Sequence, residues 1–271
     1  MAEVSLTEVS ISYRGLDGSE YPAVREIDLH LTAGRFVSVV GPTGCGKSTL
    51  LNAVAGLLRP TSGEVRIDGT PLRGLNERAG YLFQQDALLP WKTVLENVEL
   101  GLRLRGVPPA ERAGRATELL RRVGLAGFER SYPHQLSGGM RRRTAVAQTW
   151  IVDPDILLMD EPFGALDVQT RQIMENELLR LWAGSGKTVL FVTHDLDEAI
   201  SLSDEVVLLS AGPGSRVVGR YPVELPRPRD LLNIRTQPAF TESYARIWAD
   251  LREEVMTSYE RSTTQPVDGS R

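Results

Sequence analysis

The nine residues "GPTGCGKST" at positions 41–49 combine glycines, a lysine and hydroxyl groups in a spacing that suits phosphate chemistry. The stretch matches the pattern G-x-x-x-x-G-K-[ST]. In such a loop the backbone turns its N–H groups toward phosphate oxygens, the lysine reaches the terminal phosphates, and the hydroxyl binds Mg²⁺. The sequence therefore predicts a nucleotide phosphate loop made of nine residues: Gly41, Pro42, Thr43, Gly44, Cys45, Gly46, Lys47, Ser48 and Thr49.

A second stretch, "GSGKT" at 184–188, has similar letters in a different setting. The first glycine of the pattern would fall on Leu181, and the stretch precedes a predicted strand instead of following one. We expect a turn between a helix and a strand there, and no phosphate site. Within the first loop, Cys45 suits a crowded turn because it is small, and redox control is the alternative interpretation.

Two acids follow the apolar run "ILLM" at 156–159. Such a run is typical of a buried strand in a parallel sheet. Asp160, at the end of that strand, can hold Mg²⁺ through water, and Glu161 can act as the general base that activates the attacking water. Two solvated acids at the start of a loop are the alternative, which the phosphate loop upstream makes less plausible.

Three further polar residues end predicted strands. His194 follows "TVLFVT", and we predict that it contacts the γ-phosphate. Gln84 ends "AGYLFQ", and we assign it to the Mg²⁺ ion and the attacking water. Tyr13 ends the first strand, and its ring could stack on the base of the nucleotide, although it could also be an ordinary core or surface tyrosine.

The elements needed to position these residues alternate along the chain. Strands are predicted at 3–13, 24–31, 35–40, 63–69, 79–84, 156–160, 188–193, 205–210 and 216–223, with a helix at 47–58. Strands that alternate with helices indicate an α/β fold with a mainly parallel sheet, the core of a P-loop nucleotide-hydrolysing enzyme. We add an antiparallel β subdomain and a helical subdomain at about 86–150. The ATPase domain is assigned to 1–235, a helical extension to 236–258, and a disordered tail to 259–271.

Composition restricts the class of protein. The chain has 271 residues, 41% of them hydrophobic, which allows a sizeable core. The net charge of −4 argues against a nucleic-acid binder. The only cysteine is Cys45, so an internal disulfide is impossible and a cytosolic setting fits. The start of the chain lacks the features of a signal peptide, and no apolar window is long enough to span a membrane.

The pentapeptide "LSGGM" at 136–140 is a second glycine-rich turn that could open a helix and bind an anion. The chain contains, in this order, Tyr13, the phosphate loop, Gln84, this "LSGGM" turn, "ILLMDE", "GALD" at 164–167 and His194. On these residues nearly the whole chain resembles the ATP-binding cassette (ABC) ATPases. The resemblance implies ATP and Mg²⁺ as cofactors and a head-to-tail dimer with a second ATPase subunit. Ser137, Gly138 and Gly139 would then bind the ATP of the partner, and Asp167 would lie at the dimer seam.

Three departures from the family pattern occur at the end of this turn and in the helix that follows. Met140 and Arg142 stand where the family usually has glutamine, and Gln148 stands where it usually has arginine. The Met140 variant is similar to importer ATPases for nitrate, sulfonates and taurine. The three arginines at 141–143 could suggest nucleic acid, but we expect them on a helix face at the dimer interface.

The stretch "DALLPWKTVLENVELGL" at 86–102 and "ELPRPRD" at 224–230 also resemble that importer group. The resemblance implies a peripheral ATPase on the cytoplasmic face of the membrane, coupled through permease subunits to an extracytoplasmic solute-binding protein. Leu88, Leu89, Pro90 and Trp91 could dock on the permease, or they could only pack the helical lobe. The alternatives are a soluble ABC ATPase outside transport and a nucleotide-gated module without turnover.

Overall fold

A parallel sheet forms the centre of the computed structural model, which describes residues 1–15 and 18–264. Six strands lie in the order β10-β9-β3-β8-β7-β6. Every neighbouring pair is parallel except β10 and β9. The strands are β3 (Phe36–Val40), β6 (Ala79–Leu82), β7 (Ile156–Asp160), β8 (Thr188–Val192), β9 (Glu205–Leu209) and β10 (Val217–Pro222).

A second sheet is antiparallel and comes from the first quarter of the chain. Its strands lie in the order β2-β1-β4-β5. They are β1 (Val4–Arg14), β2 (Glu20–Leu31), β4 (Ser62–Ile67) and β5 (Thr70–Pro71). The predicted fold class, a mainly parallel core sheet with an antiparallel β subdomain, is therefore confirmed.

Helices cover the sheet and build a separate lobe between β6 and β7. The lobe contains α2 (Val94–Val98), α3 (Leu100–Leu104), α4 (Pro109–Arg122) and α5 (Gly138–Trp150). The other helices are α1 (Lys47–Val54), α6 (Val168–Trp182), α7 (Leu196–Leu202) and α8 (Pro238–Thr264). A capping box begins α2, where Thr93 and Glu96 each accept a backbone N–H of the other.

The apolar side chains form two buried clusters, and the strands of the parallel sheet contribute to both. Phe36 belongs to the cluster that includes the helical lobe, and its neighbour Val37 belongs to the cluster under the antiparallel sheet. This alternation follows from the period of two along a strand. Because both faces are covered, the strands β3, β7, β8 and β9 are mostly apolar, with polar residues mainly at their ends.

Several predicted boundaries differ from the structure: β2 begins at Glu20 instead of residue 24, and β6 ends at Leu82 instead of residue 84. Two further differences have a clear physical reason. Helix α1 ends at Val54 instead of residue 58, because Gly56 takes a left-handed conformation with φ of 70° and the Asn76 side chain donates to the Val54 carbonyl. Residues 259–264, which we expected to be disordered, continue α8. The polar sequence gave no sign of a tertiary contact, but Arg261 in this segment donates to the carbonyls of Ala211 and Gly212. Residues 265–271 lie outside the described part of the chain.

Among the residues that the structure describes, no helix is both long enough and apolar enough to cross a membrane.

Candidate nucleotide site

The phosphate loop, residues 41–49, runs from the end of β3 into the start of α1. The Lys47 ammonium is buried and donates to the carbonyls of Gly41 and Pro42, at 2.9 and 3.0 Å. Gly46 precedes α1 with φ of 89°, and a Cβ there would lie 2.6 Å from Val24. The loop therefore has the strand–turn–helix context that the motif requires, with a helix N-terminus available to an anion.

The cysteine in this loop is a packing residue. Cys45 is fully buried, and its sulfur lies 2.8 Å from where a Cβ on Gly41 would stand. Burial raises the pKa of the Cys45 thiol. A protonated, inaccessible thiol is a poor nucleophile, which favours the small-residue interpretation over redox control.

Ser48 and Asp160 meet next to the phosphate loop. The Ser48 hydroxyl donates to Asp160 Oδ1 at 3.0 Å, and Tyr81 makes a longer contact of 3.5 Å to the other oxygen. Burial raises the pKa of Asp160, and the hydrogen bond from Ser48 opposes that change. The pair offers two oxygen ligands of the kind that Mg²⁺ prefers.

The described residues include no group of three or more His, Cys, Asp or Glu side chains that could hold a metal ion. Mg²⁺ usually retains waters and takes only one or two carboxylates together with phosphates. Ser48 and Asp160 therefore fit a metal ion that is shared with a nucleotide.

Glu161 lies in a strained position between two other predicted site residues. Its φ of 41° is uncommon for a residue with a side chain, and its N–H donates to Val192 O of the neighbouring strand. Its Oε2 accepts a hydrogen bond from Gln84 Nε2 at 3.2 Å and lies 3.1 Å from His194 Nδ1. The side chains that follow β6, β7 and β8 thus meet at one edge of the sheet, while the assignment of Gln84 to the Mg²⁺ ion and the attacking water stays a prediction.

Tyr13 lies at the other side of the phosphate loop. It is partly exposed, and its hydroxyl is 3.2 Å from the Thr49 hydroxyl. The ring is therefore adjacent to α1 and accessible, which leaves stacking on a base a prediction.

The Ser137 turn stands apart from this cluster. Ser137 precedes α5 and accepts a hydrogen bond from the Met140 N–H at 3.3 Å, which makes it a helix N-cap. Ser137 and Gly138 are exposed. Among the contacts of the described residues, none joins this turn to the phosphate loop. Asp167 caps α6 in the same way, accepting the Thr170 N–H at 3.0 Å.

The second GKT sequence forms a turn, as predicted. Gly184 and Gly186 have φ values of 72° and 70° between α6 and β8. Lys187 is buried, pairs with Asp153 and donates to the Pro154 carbonyl at 2.8 Å. Its ammonium is therefore occupied within the fold.

The arginine run lies on helix α5, as predicted, and its place at a dimer interface stays a prediction. Arg142 is buried and donates to Phe83 O at 2.7 Å and to Asp86 Oδ1 at 3.3 Å. Arg143 pairs with Glu177 of α6 at 3.4 Å, so these two side chains make contacts within the chain that the sequence did not predict. Arg142 thus connects α5 to the residues on either side of Gln84. The only sign of this role in the sequence was that an arginine stands where the family usually has glutamine.

Sequence comparison agrees with the geometry. The sequence model of the ABC transporter family matches residues 24–164. An uncharacterised ABC transporter ATP-binding protein of Methanocaldococcus jannaschii is 49% identical over 89% of this chain and 89% of that protein. The chain belongs to the ABC transporter family. It is an ATP-binding subunit, and its fold and family support ATP hydrolysis coupled to transport.

Two further relatives carry a more specific name. A taurine import ATP-binding protein of Yersinia pestis is 48% identical over 72% of this chain and 77% of that protein. Another, of Burkholderia pseudomallei, is 41% identical over 94% of this chain and 98% of that protein. A solved ATP-binding cassette, described as a dimer bound to ADP and phosphate, matches with a TM-score of 0.73 and 35% identity, covering 82% of this chain and all of that one.

Proposed function

We propose that this ABC ATPase is the peripheral energy-supplying subunit of an importer for taurine, a sulfonate, nitrate or a similar small solute. The observation that carries the proposal is the near full-length match to a taurine import ATP-binding protein, at 41% identity over 94% of the chain. Partner permease subunits would bind it at the cytoplasmic face of the membrane, and a solute-binding protein outside would select the solute.

The site residues would divide the hydrolysis of ATP among them. Lys47 and the N–H groups of the phosphate loop bind the terminal phosphates, and Tyr13 stacks on the adenine. Ser48 and Asp160 would hold Mg²⁺, which neutralises phosphate charge when it is bound. The contact between these two oxygens, 3.0 Å, supports this assignment.

Glu161 is proposed as the general base. Its carboxylate contacts both Gln84 and His194, so the three side chains can hold a water in line with the γ-phosphate. Gln84 then orients that water and the metal, and His194 contacts the γ-phosphate. The strained backbone of Glu161 fixes the direction of its carboxylate, which favours a role in the reaction over a solvated loop acid.

The Ser137 turn is proposed to bind ATP held by a second copy. A helix leaves its first N–H groups without intrahelical partners, and the exposed start of α5 presents them next to two glycines. Because this turn lies apart from its own phosphate loop, a second chain is the natural source of the phosphate. Asp167 would lie at the same seam, and the dimeric state described for the solved relative supports this arrangement.

The segment between Gln84 and α2 is proposed to dock on the permease. Trp91 is 71% exposed, which is unusual for so large an apolar side chain, while Leu88 packs partly on the lobe. A cavity of about 280 Å³ lies between β6 and α5, and Gln85 and Ala87 of this segment contribute to its lining. Exposed apolar residues next to a cleft suit a protein interface better than lobe packing alone.

The experiment that tests the proposal is recovery of the tagged chain from detergent-solubilised membranes, followed by identification of the co-purified proteins. A permease should be recovered, and cells that lack the chain should lose uptake of labelled taurine, nitrate or an alkanesulfonate. Trp91→Ala should lower permease recovery without changing basal hydrolysis, whereas the control Trp248→Ala, on α8, should not. Recovery of no membrane protein would contradict an importer role.

A further inference from the structure

The C-terminal half of α8 contacts the loop that connects β9 and β10. Glu254 Oε2 accepts the N–H of Ala211 at 2.7 Å. Arg261 donates to the carbonyl of Gly212 at 2.7 Å and to that of Ala211 at 3.3 Å. Two charged side chains of α8 therefore hold the backbone of Ala211 and Gly212. We name residues 211–214 the brace loop.

The brace loop lies directly against the phosphate loop. A Cβ placed on Gly212 would lie 3.3 Å from Gly44 O and 3.8 Å from Cys45 Cα. Leu209, at the end of β9 just before this loop, also approaches the phosphate loop, since its O would lie 2.9 Å from a Cβ on Gly41. These distances refer to the position that a Cβ would take, and they show that the neighbouring backbones leave at most a tight space for one methyl group between them. Because the backbones pass this close, a shift of the brace loop should disturb the packing of the phosphate loop.

The rest of α8 is anchored independently of this contact. Ile247 and Leu251 are buried in the core cluster that includes the lobe. The Tyr221 hydroxyl donates to Asp250, and the Arg246 guanidinium lies 5.5 Å from the Tyr221 ring. Removing the contacts of Glu254 or Arg261 should therefore leave the helix docked.

We propose that Glu254 and Arg261 are positioning residues for ATP binding. Their hydrogen bonds hold the brace loop against the Gly44 side of the phosphate loop. Neither residue touches the nucleotide. They restrict the backbone whose N–H groups must point at the phosphates, so ATP does not have to order the loop when it binds. The inference depends on ATP binding by the phosphate loop and is independent of which solute is imported.

The test is the affinity of the full-length chain for ATP with Mg²⁺, measured by isothermal titration calorimetry. Arg261→Ala and Glu254→Ala should weaken binding about three- to tenfold, corresponding to about 0.7–1.4 kcal/mol. Arg261→Lys should restore most of the affinity, since an ammonium can still donate to Gly212 O. The matched controls are Arg252→Ala and Glu253→Ala, exposed neighbours on the same helix, which should bind ATP as the parent chain does.

Kinetics and stability distinguish positioning from a merely structural role. KM for ATP should rise with the dissociation constant while kcat changes by less than about twofold, because Glu161 and His194 are untouched. Thermal unfolding without nucleotide should stay within the range of the two controls.

A second variant acts on the other side of the same contact. Gly212→Ala keeps both α8 hydrogen bonds but places a methyl group 3.3 Å from Gly44 O, so it should also weaken ATP binding. Unchanged affinity in both Arg261→Ala and Gly212→Ala would overturn the proposal. So would a loss in Arg261→Ala that Arg261→Lys does not recover. If Arg261→Ala unfolds the chain, Gly212→Ala decides alone.

Discussion

Two buried lysines, each in a GKS or GKT sequence, should respond to alanine substitution in opposite ways. Lys47 and Lys187 are both only 6% exposed. Lys47 donates to two backbone carbonyls of its own loop, whereas Lys187 donates to Pro154 O and pairs with Asp153. We expect Lys47→Ala to abolish ATP binding without loss of stability, and Lys187→Ala to lower stability without loss of ATP binding.

The magnitudes follow from these partners. Removing the lysine from a desolvated contact with phosphate should cost about 2–5 kcal/mol of binding free energy, or more than about thirtyfold in affinity. Without nucleotide, Lys47→Ala leaves the carbonyls of Gly41 and Pro42 without this donor, but it also removes a buried charge whose desolvation is costly. Because these two effects oppose each other, unfolding free energy should change by less than about 1 kcal/mol.

Lys187→Ala leaves the buried Pro154 carbonyl without a donor, which costs about 1–3 kcal/mol. The ion pair with Asp153 adds little, because the Asp153 side chain is 80% exposed. The contact of the ammonium with the Trp150 ring, at 5.7 Å, adds about 0.5–1 kcal/mol. The expected total is about 2–3 kcal/mol of unfolding free energy.

Urea unfolding and calorimetric titration with ATP and Mg²⁺, applied to both variants, test this contrast. A large loss of ATP affinity in Lys187→Ala would show that the phosphate site had been assigned to the wrong loop. Equal destabilisation by the two substitutions would refute the comparison of their partners.

Three further predictions concern the dimer, the pH dependence of stability and the arginine departure. Glu161→Gln should yield an ATP-dependent dimer on size-exclusion chromatography, and adding Ser137→Arg should abolish that dimer while the monomer still binds ATP; persistence of the dimer would exclude the trans role. Burial and the nearby charge of Glu198 raise the pKa of Glu175 to about 8, so unfolding free energy should fall as pH rises from about 5 to 8, and Glu175→Gln should flatten that decline in urea titrations. Arg142→Met should lower unfolding free energy by about 1–3 kcal/mol, and a double-mutant cycle with Asp86→Asn should show coupling above about 0.5 kcal/mol; additive effects would contradict their contact.

The sign of the pH effect follows from which state holds the proton. The folded chain keeps Glu175 protonated up to its raised pKa, whereas the unfolded chain releases that proton near pH 4–5. The contribution of protonated Glu175 to the free energy of unfolding is fully present below the pKa that Glu175 has in the unfolded chain. It is lost as pH rises through the pKa that Glu175 has in the folded chain. Glu198, whose pKa burial raises to about 7, should act in the same direction.

The sequence was most informative where chemistry depends on local geometry. The phosphate loop could be predicted because its glycines, lysine and hydroxyl act within nine residues of chain. The meeting of Gln84, Glu161 and His194 could be predicted because the carboxyl ends of parallel strands share one edge of a sheet. In both cases a backbone rule brings the side chains together without knowledge of tertiary packing.

The sequence was least informative where a polar residue is used by a distant partner. Arg142 lies in a run that we expected on a helix face at the dimer interface, and its partners Phe83 and Asp86 within the chain are more than fifty residues away. The polar end of α8 was predicted to be disordered, but Arg261 in that segment donates a hydrogen bond to the brace loop. Periodicity reports which face of a helix is apolar, but it carries no information about which remote carbonyl an arginine will meet.

The two glycine-rich turns differ in how much of a site each can provide alone. The phosphate loop is enclosed by β2, by Leu209 and by the brace loop, and its lysine and its serine already contact groups of the same chain. The Ser137 turn has its own cap but no lysine, no acid and no enclosing loop among the contacts of the described residues. A phosphate bound there would be held mainly by backbone N–H groups, which is too little for stable binding unless a second surface supplies the rest of the nucleotide. This asymmetry favours one complete nucleotide pocket on each chain and a lid from its partner, so that dimerisation, and not either chain alone, would complete the site for hydrolysis.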